Sequence, residues 1–173
     1  MQTCETCGHV HQPLPGALGY VKPYQYFLVP EAQRSQRVKI NSDLCQIDNA
    51  VFAIRGVVEI PLLDDATIEG TPWFEFGIWA VVAAVDFSRY VELWDADVSS
   101  EAPFPCTLDG EPPGYSGLLG HPASVHLRQA GQRPLFKLRE SDHLMHREQT
   151  HGISLQRVHD IFRTARPEYF DSH

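Results

Sequence analysis

Two thiols and two imidazoles crowd one short stretch of the chain, Cys4-Glu5-Thr6-Cys7-Gly8-His9-Val10-His11. Cysteines two residues apart can bite one tetrahedral ion through their thiolates, and the glycine after them lets the backbone turn beneath it. His11 or His9 can supply a third donor by doubling back over the turn. The fourth must come from a distance, with Cys45 the first choice and Cys106 and His143 next. Sulfur and nitrogen donors in this number suit zinc. A redox Cys-x-x-Cys wants a helix N-terminus just after a strand, and this stretch offers none; two inert reduced thiols are the remaining reading. A zinc ion here would be structural, since a catalytic ion keeps an open position beside an acid or base, and Glu5 is the only carboxylate in the turn.

Two other constellations carry polar chemistry. His143 and His146 stand at i, i+3 on a predicted helix, followed by Glu148 and His151, but without the spacing of a metalloprotease helix. They read as surface or capping histidines. Arg55, Glu59, Glu75 and Trp79 fall on one side of a predicted hairpin. Arg55 with either glutamate is most simply a cross-strand ion pair, while the four together would floor a ligand or partner face. No P-loop, nucleophile elbow, dinucleotide fingerprint or carboxylate pair is present.

The elements that must position these groups follow from periodicity. Val51 to Ile60 alternates, with Phe52, Ile54, Val58 and Ile60 on one face and Ala53, Arg55, Val57 and Glu59 on the other. Trp73 to Val85 does the same, and its later half is apolar on both faces, so a cover is expected there. Tyr24 to Val29 is aromatic and reads as a strand, Glu31 to Arg37 as a polar connector with a helical turn, and Val38 to Asp48 as mixed strand. Asp86 is the expected cap of a helix carrying Phe87, Tyr90, Val91 and Trp94 on one face. Residues 95–124, rich in Pro, Gly and acids, read as one long loop. Val125 to Arg128 and Pro134 to Arg139 add strands. A helix pair over 142–166 closes the pattern, capped by Asp142 and Ser154, with Gly152 between and Leu155, Val158, Ile161 and Phe162 on one face. Its Arg157, Arg163 and Arg166 invite a helix-turn-helix reading, against which Asp160 and the acidic whole count.

Length and composition predict one α+β domain over residues 1–173: a twisted, mainly antiparallel sheet with helices on one face, a C-terminal helix pair and a zinc-knuckle-like turn over 1–15. The net charge is −8, and residues 1–120 carry 6 Lys+Arg against 16 Asp+Glu, residues 121–173 8 against 6. An acidic body disfavours nucleic acid, whose phosphates it would repel, and suits a basic protein partner or plain solubility. No secretory h-region or membrane span is visible, so a soluble cytoplasmic protein with no membrane contact is expected.

Taken in order, Cys4-x-x-Cys7-Gly8-x-x-His11, Ser42-Asp43-Leu44-Cys45, Phe52-Ala53-Ile54-Arg55-Gly56, Glu59-Ile60-Pro61 and Phe76-Gly77-Ile78-Trp79 form a recognisable series. Arg133-Pro134-Leu135, Asp142-His143-Leu144 and Gly152-Ile153 extend it. The series resembles the uncharacterised bacterial family named domain of unknown function 2199. Leu144 departs from it, where the family typically has proline, as does the content of the 100–120 loop. The resemblance implies a single domain, favours His11 over His9 as ligand, and assigns no activity. The expectation is therefore a non-enzymatic, cytoplasmic, zinc-containing protein that acts by binding a protein partner, as in immunity or regulation. A metal-dependent hydrolase is the alternative, and a nucleic-acid-binding regulator the third reading.

Overall fold

In the computed structural model residues 4–98 and 100–170 are described, so residues 1–3 of the expected turn and Ser99 of the expected loop lie outside it. The elements run β1 (Ala17–Gly19), α1 (Tyr24–Leu28), α2 (Glu31–Arg37), β2 (Val38–Ile40), β3 (Leu44–Ile47), β4 (Val51–Pro61) and β5 (Trp73–Val82). Then come α3 (Ala84–Glu92), β6 (Phe104–Leu108), β7 (Pro122–His126), β8 (Leu135–Leu138), α4 (Leu144–His151) and α5 (Leu155–Ala165), with a 3-10 turn at Pro167–Tyr169.

The two alternating strands make the longest ladder, β4 against β5, from Phe52↔Val82 to Pro61↔Trp73. From there β5 pairs β6, β6 pairs β7, β7 pairs β8, and β8 returns to β4. The expected open sheet is thus a closed five-strand barrel, extended by β3 and β2 beyond β4 and by β1 beyond β5. Most pairs are antiparallel, but β1–β5 and β4–β8 are parallel. An odd number of up-and-down strands can close only with its first and last parallel.

Closure requires β8 to pass very near β4. A Cβ on Gly56 would stand 2.5 Å from Phe136 Cζ and 2.7 Å from the Pro134 carbonyl oxygen, so only glycine allows the approach. The ring interior is filled by Ile54, Val58, Phe76, Ile78, Val125 and Phe136, all fully buried. Onto this core α5 packs Val158, Ile161 and Phe162, and the segment after β6 packs Tyr115 and Leu118. The cover expected over β5 is real: Trp79, Cys45, Ala53, Ile47 and Val29 form a second cluster on the outer face.

Several local expectations change. Tyr24–Leu28 is a helix, because Asp109 accepts the Tyr24 N–H at its backbone oxygen (3.2 Å) and the Gln25 N–H at its carboxylate (3.2 Å). That cap arrives from far along the chain and overrides the aromatic β preference. The 95–124 loop contains β6, where Pro105 lies beyond the residues, Thr107 and Leu108, that pair with β5. α3 starts at Ala84 after Ala83, two residues before Asp86. The α4 cap is His143, whose Nδ1 accepts the Met145 N–H, rather than Asp142. Gly152 (φ 83°) and Ser154, which accepts the Arg157 N–H, end α4 and begin α5 as expected. Among the described residues no helix is long and apolar enough to cross a membrane.

Candidate metal centre

The cysteine turn builds itself from backbone bonds: Gly8 N–H to the Cys4 carbonyl and Cys4 N–H to the His9 carbonyl, each 2.9 Å. Gly8 sits at φ 71°, a left-handed position that a side chain would strain. Beyond the turn, the His11 Nδ1–H donates to the Gln12 carbonyl (2.6 Å). That bond sets the tautomer and leaves Nε2 as a lone-pair donor, buried and without a hydrogen-bond partner.

The fourth group comes from α5. His159 is buried on the apolar face of that helix, and its Nε2 lies 3.6 Å from Cys4 Sγ. The donor atoms of Cys4, Cys7, His11 and His159 all lie within 4.8 Å of one another. Four donors on an ion bonded at ~2.0–2.3 Å sit roughly 3.3–3.8 Å apart, so a small inward adjustment completes a tetrahedron. The His11 and His159 rings lie 5.0 Å apart, and His11 also packs 4.9 Å from Phe170. Gln12 N–H to the Tyr169 carbonyl (3.2 Å) fastens the same junction through the backbone.

Protonation suits metal binding. Burial pushes the Cys4 thiol up, but the backbone N–H groups of Cys7 and Thr6 and the side chains of His11 and Cys7 outweigh it and bring it down to about 7. Burial, and then the neighbouring His11, hold His159 below the usual histidine value and so favour the neutral ring. Metal ligands must be deprotonated thiolate and neutral imidazole, and both are close to that state at neutral pH.

Cys45 does not join them. It is buried against Ala53 and Trp79 on the opposite cover of the sheet, and burial, then Asp109, push its thiol up to about 11. Cys106 is a core residue of the barrel, its thiol pushed by burial to about 12. His9 contributes its carbonyl to the turn and is not among the clustered donors. His143 is occupied at both nitrogens, accepting from Met145 and donating from Nε2 to the Ser116 carbonyl (3.0 Å). His146 Nδ1 meets the Ser141 carbonyl at 2.9 Å. The histidine pair is therefore a cap and its neighbour. His159 sits inside an apolar stripe between Val158 and Ile161, a setting in which the sequence alone does not mark a histidine as a ligand.

The Arg55 face has the expected register, Arg55↔Trp79 and Glu59↔Glu75, but not the expected contacts. Glu59 pairs with Arg128 (2.6 Å), and Glu75 accepts the Trp73 indole N–H (3.1 Å). Trp79 is fully buried and donates its indole N–H to the Tyr20 carbonyl (3.1 Å), so it is cover and no exposed floor. Arg55 makes no ion pair with either glutamate among the described residues; its guanidinium lies against Gly19, and burial, then Arg133, lower its proton affinity. Of the helix-pair arginines, Arg157 binds Glu148 (2.8 Å) and Arg163 binds Asp160 (3.0 Å). Glu148 also accepts the Tyr115 hydroxyl, which ties both helices to the barrel.

A family model for an uncharacterized protein conserved in bacteria, DUF2199, matches residues 3–153, a span that holds the cysteine turn but stops short of α5. No curated protein and no solved structure matches the chain.

Proposed function

The chain belongs to the DUF2199 family, and from that premise we propose that it is a zinc-stapled binding protein without catalytic chemistry. The observation that carries this reading is the donor set: Cys4, Cys7, His11 and His159 offer four protein atoms to one ion. Four protein ligands fill a tetrahedral zinc and leave no position for a substrate or an activated water, as structural sites do. The ion would join the first turn to the last helix. Its binding energy would become folding energy, because the four donors are brought together only by the folded chain.

The binding role rests on the surface. Val21, Tyr24, Phe27 and Leu28 expose 71, 43, 59 and 57% of their area around α1, an apolar group of the kind that marks contact sites. The acidic body would attract a basic protein partner to the molecule as a whole. The bacterial cytoplasm is the proposed setting, where four free cysteines stay reduced.

Metal analysis of the purified protein tests the centre. One zinc per chain is expected, lost in Cys4→Ser and His159→Ala and retained in Cys45→Ser. Retention of zinc in His159→Ala, together with hydrolysis of a generic ester that chelation abolishes, would replace this reading with the metal-dependent hydrolase.

A further inference from the structure

The barrel closes poorly at one place. β4 and β8 share a single bridged pair, Val57↔Leu135, backed by one bond from Val57 N–H to the Pro134 carbonyl (2.9 Å). Past it the strands part, and the edge of β8 would be left bare. The Gln149 carboxamide supplies the missing strand: Oε1 accepts the Leu138 N–H (2.9 Å) and Nε2 donates to the Phe136 carbonyl (2.8 Å). The end of α4 is pinned in turn to the end of β4, by Ile153 N–H to the Pro61 carbonyl (2.8 Å) and Leu63 N–H to the Ile153 carbonyl (3.0 Å). Helix α4 thus roofs the gap and leaves a cleft of about 620 Å³ between β4, β8 and itself.

The cleft is built and selective in character. Its volume falls within the range of small-molecule sites, roughly 300–1,000 Å³. Leu62, Trp73 and Leu135 give it apolar walls. The Trp73 ring is held by its indole bond to Glu75, so the wall is oriented before any ligand arrives. The polar lining is largely spent. Glu59 is neutralised by Arg128, and Gln149 serves the β8 backbone. Two groups are not: Lys137, which has no ion pair, and His146, whose Nδ1 faces the Ser141 carbonyl and whose Nε2 has no hydrogen bond, both among the described residues. In a chain of net charge −8, this cleft carries a cation without an ion-pair partner among the described residues.

We propose that the cleft between β4, β8 and α4 binds a small organic anion: a flat apolar body against Trp73, Leu62 and Leu135, with its carboxylate at Lys137. The site goes beyond the binding role proposed above and does not depend on the metal.

Phenylacetate is a suitable probe, with phenethylamine as its cationic counterpart, titrated into the full-length protein and followed by the Trp73 indole and Gln149 side-chain amide signals in NMR. Phenylacetate should shift both saturably while phenethylamine leaves them unmoved. Lys137→Gln should weaken phenylacetate about tenfold, the loss of one charge-assisted contact. Lys137 is exposed, so this variant should fold, with unchanged amide dispersion as the control. No saturable shift with phenylacetate, an equal response to phenethylamine, or unchanged affinity in Lys137→Gln would each overturn the proposal. Because Cys4 and His159 lie outside the cleft, such a failure would leave the metal reading untouched, and loss of that reading would leave the cleft.

Discussion

The molecule is closed twice, by opposite means. At the chain ends, a turn with almost no regular structure meets α5 through four side-chain donors from positions 4, 7, 11 and 159. At the β4–β8 seam, regular strands meet through one bridge, a glycine-permitted backbone approach and a borrowed carboxamide. On the proposed metal reading the first closure would be concentrated in one ion and lost whole. The second is spread over packing and hydrogen bonds and should weaken by degrees. Sparse contact is thus no sign of weakness in itself: what matters is whether the few contacts are ligand bonds or ordinary ones.

Stripping the metal is the sharpest way to break this contrast. Where free zinc exceeds its dissociation constant a thousandfold, its removal should lower unfolding free energy by about 4 kcal/mol. Urea melts with and without chelator measure it, and barrel amides should keep their hydrogen-exchange protection better than α5. Gly56→Ala comes next, at about 3 kcal/mol, because the new Cβ meets Phe136 and the Pro134 backbone and the strands must part. Unlike chelation, it should loosen the barrel amides and leave zinc stoichiometry at one. Smallest is Gln149→Leu, at about 2 kcal/mol, from leaving the Phe136 carbonyl and the Leu138 N–H without partners. A Gln149→Leu effect below that of an exposed control substitution would mean water replaces the carboxamide.

Alternation along β4 and β5 was enough to read their faces, and Ser154 and Gly152 marked the helix boundaries at the right residues. What escaped the sequence were features decided at a distance. The α1 helix depends on Asp109, which is 84 positions from the Gln25 it caps. Barrel closure depends on a gap at Gly56 whose reason is a phenylalanine on another strand. In the metal cluster, three donors were legible because they are neighbours in sequence. Cys45, the expected fourth, is instead fixed by its burial beside Trp79. His159 carried one local clue: a polar ring on the inward face of an otherwise apolar stripe.

The span between Cys4 and His159 has a consequence for how the chain comes off the ribosome. The first three donors are made almost at once, while the fourth follows 155 residues later than Cys4. A nascent chain would therefore hold an ion only loosely, with an open position, until α5 has emerged and packed. Any cut before that helix would leave the site permanently three-handed. A bound ion, once in place, would mark a chain translated and folded through residue 159, and its escape would be an early report of proteolysis.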